Sequence, residues 1–152
     1  MTTTITIEDT SIQMLDEFYK MEQQCFQEEA FSKQQISYLL LDYNTVGLAA
    51  RVDGELAGFI VARIDLVRNH PFGHIMTINV SPSYRRKGVG QRLMVETEII
   101  LKQKGVKEVR LEVREGNVTA IALYEKLGYK RISKLANYYG EAHGFYFRKV
   151  LL

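Results

Sequence analysis

The chain is poor in the residues that would commit it to several common ways of working. It has one cysteine, Cys25, so no intramolecular disulfide can form, and a reducing compartment fits that count. Its three histidines, His70, His74 and His143, are scattered without the spacing of metal ligands, which argues against a metal centre. No apolar run approaches the roughly 20 residues needed to cross a bilayer. The opening Met1-Thr-Thr-Thr-Ile-Thr-Ile-Glu lacks the cationic and apolar regions of a signal peptide. Net charge is only +2, so the chain as a whole does not seek polyanions. Repeats, low-complexity tracts and linkers are missing as well. The expectation is a cytoplasmic protein that works without metal, membrane or nucleic acid.

What remains is the composition of an ordinary globular protein: 152 residues, 46% apolar and 25% charged. That length suits one domain, residues 1–152, with a proper core. Residues 4–8 alternate like a short strand. Asp9 or Thr10 then offers an N-cap for a helix whose apolar stripe is Ile12, Leu15, Phe18, Tyr19 and Phe26. A second helix starts near Ser32 and buries Ile36, Leu39 and Leu40. Strands over 45–52 and 55–66 are joined by Asp53-Gly54, a strong two-residue hairpin signal because both central positions want positive φ. A turn over 69–72 leads to a strand over 74–80, and an amphipathic helix spans 89 to about 104. A strand over 108–114 and a helix over 117–127 follow, the helix closed by Gly128 as its left-handed stop. Strands over 129–137 and 143–151 flank Tyr138-Tyr139-Gly140. The pattern predicts a mixed α/β (α+β) unit, with about four helices on a mostly antiparallel sheet of about six to seven strands.

Residues 80–90, Val-Ser-Pro-Ser-Tyr-Arg-Arg-Lys-Gly-Val-Gly, carry the most information. A strand feeds a proline-containing turn, then the consecutive cations Arg85, Arg86 and Lys87, then Gly88-Val89-Gly90 at a helix start. The first N–H groups of a helix lack intrahelical partners, and the macrodipole places partial positive charge there. Glycine lets a ligand approach the backbone, and the cations add full charge. The segment is built to cradle a pyrophosphate. Its spacing fits neither the dinucleotide fingerprint nor the P-loop.

The pattern Arg85-x-x-Gly88-x-Gly90, preceded by Val80-x-Pro82-x-Tyr84, resembles the acetyl-coenzyme-A signature of the GNAT superfamily of N-acetyltransferases. The resemblance implies a GNAT fold, acetyl-CoA as cofactor with CoA as product, and amides of the loop holding the pyrophosphate. It also implies that the strand ending Ile78-Asn79-Val80 pairs with the pantetheine arm and offers an N–H to the thioester carbonyl. The later segment Asn117…Tyr124-x-x-x-Gly128-Tyr129 is similar to the family's second motif. Asn117 and Tyr124 are about two helical turns apart and share a face. The resemblance makes Asn117 a pantetheine contact and Tyr124 the acid beside the departing sulfur, a role a phenol can fill.

Glu112 sits in an alternating strand, opposite in face to Val109, Leu111 and Val113. As a surface residue it would be one more carboxylate pairing with neighbouring cations; as a functional one it is a general base. An amine must be neutral to attack a thioester, so a proton acceptor is required. Glu-Val-Arg followed by Asn and Ala-Leu-Tyr resembles the GNAT branch of bacterial ribosomal-protein and archaeal protein N-terminal acetyltransferases. That resemblance assigns Glu112 as base and Tyr124 as acid. Ala136-Asn137-Tyr138-Tyr139 resembles the same branch's substrate loop, so Tyr138 and Tyr139 are candidates for one wall of a peptide groove. The opposing wall would be residues 26–32, where Ala30-Phe31 replaces the family's Pro-Trp; Phe31 is a candidate substrate contact there, and Glu28 or Glu29 is the candidate to receive a peptide ammonium.

The sequence thus points to an acetyl-CoA-dependent acetyltransferase acting on a protein or peptide N-terminus, as a monomer or weak homodimer, by direct attack in a ternary complex. A small amine or a lysine side chain is the alternative acceptor. A non-catalytic acetyl-CoA-binding or RNA-binding module is the remote one; a second basic cluster is missing.

Overall fold

A computed structural model describes residues 4–152. In chain order the elements are β1 (Thr6–Asp9), α1 (Leu15–Phe26), α2 (Lys33–Leu41), β2 (Thr45–Val52), β3 (Glu55–Val67), β4 (His70–Val80), α3 (Val89–Gln103), β5 (Glu108–Arg114), α4 (Val118–Lys126), β6 (Lys130–Tyr139) and β7 (Ala142–Val150). Local chemistry explains most of these bounds. Asp53 and Gly54 both take positive φ, 53° and 82°, and close the β2–β3 hairpin as expected. Ser32 and Gln35 form a reciprocal capping box at the start of α2, with bonds of 3.1 and 2.8 Å. Asn117 caps α4 by accepting from the Ala120 N–H at 3.2 Å, and Gly128, φ 95°, ends it.

Three expectations need correction. The turn placed at 69–72 is a tight hairpin at Arg68-Asn69, both at positive φ (50° and 66°), so β3 and β4 each run longer than their patterns suggest. Without glycine, the turn's only local signal was Asn69. The N-cap placed at Asp9 or Thr10 lies later, because β1 extends through Asp9 and a 3-10 turn over Ile12–Met14, capped at Ser11, leads into α1. Tyr138 and Tyr139 belong to the end of β6 rather than to a loop, and the chain reverses at Gly140, φ 74°.

The seven strands lie in the order β1-β2-β3-β4-β5-β7-β6. Every neighbouring pair is antiparallel except β4–β5, whose parallel register covers only Gly73↔Val109 and His74↔Arg110. Beyond His74 the two strands part, and β4 continues to Val80 without pairing to β5. One face of the sheet is covered by α3 and α4, with Leu93, Met94, Leu101 and Tyr124 packed on Ile60, Leu111 and Val113. The other is covered by α1 and α2, where Phe18 stacks on Phe59 at 4.0 Å between centroids.

A register shift between Val61 and Ala62 makes Met76 the extra residue of a bulge in β4. Past it, Ile78 and Val80 pack with the α3 face, while Thr77 and Asn79 point to α1. Among the described residues no helix is long and apolar enough to cross a membrane.

Candidate active site

The end of β4 runs through a 3-10 turn, Pro82–Tyr84, into the glycine-containing loop. Arg86 and Gly88 both take positive φ, 63° and 82°, so the backbone turns sharply on either side of Lys87. The first intrahelical bond of α3 is Arg92 N–H to Gly88 C=O at 3.0 Å, so the amides of Val89, Gly90 and Gln91 lack intrahelical acceptors. At Gly90 a Cβ would lie 3.3 Å from Leu123 Cδ2 and 3.5 Å from Val80 Cγ2, so the loop is seated between α4 and β4.

Arg86 and Lys87 are exposed, and Lys87 Nζ sits 5.6 Å from the centroid of the Tyr84 ring, whose hydroxyl bonds Glu55. Arg85 is turned elsewhere: its Nε donates to the Val80 carbonyl at 3.3 Å and its guanidinium faces Cys25 Sγ at 4.0 Å. Amide donors, flanking cations and a helix start suit the pyrophosphate of acetyl-CoA. The unpaired side of β4 suits an extended, amide-containing arm. Asn117 engages its side-chain oxygen in the cap, which leaves its NH2 group as a donor.

Glu112 lies on the α1 face, as the alternation predicts, with its neighbours Leu111 and Val113 in the opposite core. Its carboxylate is bonded to His74 Nε2 at 2.7 and 3.0 Å. His74 Nδ1 lies 3.6 Å from Asp65, which accepts from Arg63 at 2.7 Å. The sequence reading missed His74 because it searched for metal spacing along the chain. The usable signal is topological: a parallel β4–β5 pair that places His74 beside Arg110 also brings it within reach of Glu112.

Tyr124 occupies the other face, 6.0 Å from Tyr129 and 6.4 Å from Phe147 between ring centroids. Burial raises its phenol above the ordinary tyrosine range. The two residues lie on opposite faces of the sheet, which is unpaired between β4 and β5 beyond His74.

Tyr139 stands near both. Its phenol is raised first by burial and then by the neighbouring Tyr138, Glu112, Glu29 and Tyr124. A Cβ on Gly144 would come within 2.8 Å of the Tyr139 ring, so the bare backbone there makes room for it. Tyr138 and Tyr139 meet edge to face at 4.9 Å. Across from them, Glu29 is paired with Arg114 at 2.6 Å, whereas Glu28 is exposed. Phe31 packs its ring against the α1–α2 core and donates its backbone N–H to Glu22 at 3.1 Å. Of the candidate acceptor residues, Glu29 is already engaged by a cation and Tyr139 has both Glu112 and Glu29 among its neighbours.

Residues 12–129 match the model of the acetyltransferase (GNAT) family. The chain belongs to the GNAT family. It is an acyltransferase, and acetyl-CoA is its acetyl donor. Among similar proteins, an N-alpha-acetyltransferase of Sulfurisphaera tokodaii is 36% identical over 119 residues, 70% of each chain. The crystal structure of the Escherichia coli ribosomal-protein-S18-alanine N-acetyltransferase superposes with a TM-score of 0.85 at 25% identity, covering 97% of this chain and 94% of that one. Arabidopsis thaliana NAA60, solved in complex with acetyl-CoA, shares the GNAT fold with a TM-score of 0.88 at 21% identity over 97% and 98% of the two chains.

Proposed function

We propose that this GNAT enzyme acetylates the α-amino group of protein N-termini. The observation that carries this reading is Glu112, bonded to His74 and two residues from the Arg114 that pairs with Glu29, with Tyr139 a neighbour of both Glu112 and Glu29. That cluster gathers a base and both candidate acceptor segments, suited to an extended peptide end. The 36% identical N-alpha-acetyltransferase supports the same acceptor.

Acetyl-CoA supplies the activated acetyl group as a thioester. The amides of Gly88, Val89 and Gly90, with Arg86 and Lys87, hold the pyrophosphate, and Arg85 braces the end of β4 through Val80. The free edge of β4 offers backbone donors at Ile78 and Val80, while Asn79 between them bonds toward β3, and one of these donors serves a carbonyl oxygen that gains negative charge. Glu112 accepts the proton of the incoming ammonium, directly or through water, and His74 shares that proton through their short bond. Tyr124 keeps a proton at its hydroxyl for the departing sulfur, because burial opposes its ionisation. Both grips belong to one catalytic domain, working as a monomer or weak homodimer on N-termini in the cytoplasm.

The test is CoA release from acetyl-CoA with short peptides beginning Ala, Ser, Met or Glu, set beside spermidine and free lysine, with mass spectrometry to locate the acetyl group. Turnover confined to peptide N-termini is the expected result. Turnover on polyamine or lysine alone would keep the GNAT chemistry and overturn the acceptor.

A further inference from the structure

Among the described residues Glu22 is the only charged side chain in the buried core, at 1% exposure, and the mechanism above does not use it. Its carboxylate is bonded entirely to donors. Oε1 accepts from Thr77 Oγ1 at 2.7 Å and from Asn79 Nδ2 at 3.0 Å, both on β4. Oε2 accepts the backbone N–H of Phe31 at 3.1 Å. Among the described residues no lysine, arginine or histidine forms an ion pair with it. The Asn79 side-chain oxygen is also buried without a donor, so the cluster is rich in acceptors.

One oxygen of Glu22 therefore holds the strand beside the opening in the sheet, and the other holds the loop opposite Tyr138 and Tyr139. Gln27 sits at φ 50° and a short 3-10 turn follows, closed by the Ala30 N–H to Gln27 C=O bond. The other anchors are the Phe31 ring on the α1–α2 core and the half-exposed Arg114–Glu29 pair. The geometry points to Glu22 as a positioning residue that sets acceptor affinity by clamping loop 27–31 onto β4. This inference rests on the acceptor site proposed above.

The Phe31 N–H can only donate and needs an oxygen at residue 22, whereas Thr77 and Asn79 can accept as well as donate and are already bonded to each other at 3.0 Å. A leucine there fills similar space and offers the loop no acceptor. β4 is secured independently by its long ladder with β3, so the loop is the part that is released.

Steady-state kinetics on Glu22→Leu, Arg114→Gln and the double variant test the clamp, with circular dichroism and Tm as controls for folding. In Glu22→Leu the KM for peptide is expected to rise about tenfold, the scale of one lost hydrogen bond. The KM for acetyl-CoA should stay unchanged and kcat should hold within about threefold. Arg114→Gln should raise the peptide KM less, and the double variant should depart from the product of the two, since both anchors hold one loop. A fall in kcat with both KM values intact, or an equal rise in the KM for acetyl-CoA, would overturn the proposal.

If Glu22→Leu does not fold, hydrogen exchange on the wild type decides. A Phe31 amide protected well beyond those of Glu28 and Glu29 supports the clamp, and one that exchanges as fast as they do removes it. Wild-type turnover on peptides is measured first. Its absence alongside polyamine turnover overturns the N-terminal acceptor, and the same KM comparison is then made with the amine that reacts.

Discussion

In the proposed reaction Glu112 and Tyr124 take opposite proton tasks, and the environment of each suits its task. Glu112 is partly exposed and held by a histidine, so a proton it accepts can leave by His74 or by water. Tyr124 is buried among aromatics, and its raised phenol stays protonated through neutral and moderately alkaline pH. Glu112→Gln should lower kcat by about 10²-fold or more while acetyl-CoA still binds, since general-base contributions are commonly of that size. Tyr124→Phe should lower kcat with little change in either KM. In the wild type, any loss of rate from ionisation of Tyr124 should fall above pH of about 10, the ordinary tyrosine value, because the raised group loses its proton later. A descending limb at lower pH that vanishes in Tyr124→Phe would contradict this; pH–rate profiles of the two proteins side by side are the measurement.

At the scale of elements, the cofactor end and the acceptor end were unequally legible. The loop 85–90 could be read directly, because strand end, cations, glycines and helix start are consecutive in the chain. The Asp53-Gly54 hairpin and the Gly128 stop were legible for the same reason: each is a local backbone demand that few residues meet. The Arg68-Asn69 turn lacks such a residue, and at the Met76 bulge the strand reads Ile75-Met76-Thr77 with no glycine or proline to mark it. His74 against Glu112 and Glu22 against Thr77 and Asn79 join residues far apart in sequence, and no periodicity within one element records such a pairing. Glu28 and Glu29 look equivalent on paper; Arg114, on a distant strand, distinguishes them. The local character of the cradle also makes it separable. Replacing Arg86 and Lys87 by glutamate should raise the KM for acetyl-CoA severalfold, leave the peptide KM near its original value, and weaken the salt dependence of acetyl-CoA binding.

For the molecule as a whole, the two cores on either side of the sheet carry the fold. Phe18, fully buried and stacked on Phe59, shows how tightly the α1 side is packed. Phe18→Ala should cost about 3–5 kcal/mol by removing contacts and leaving a cavity, read as a fall in the denaturant midpoint. The sheet between those cores is nevertheless incomplete along one line. Where β4 leaves β5 after His74, the ladder has a hem inside the molecule rather than at its rim. An extended guest stitched along that hem would join the half-sheet β1-β2-β3-β4 to the half-sheet β5-β7-β6. The contacts that bind acetyl-CoA would then be contacts that weld the protein, and affinity and stability would rise together. Saturation at 100 times Kd should add about 2.7 kcal/mol to unfolding. Amides on both sides of the seam, at 76–80 and at 111–114, should slow their exchange in concert, as if one fabric had been closed.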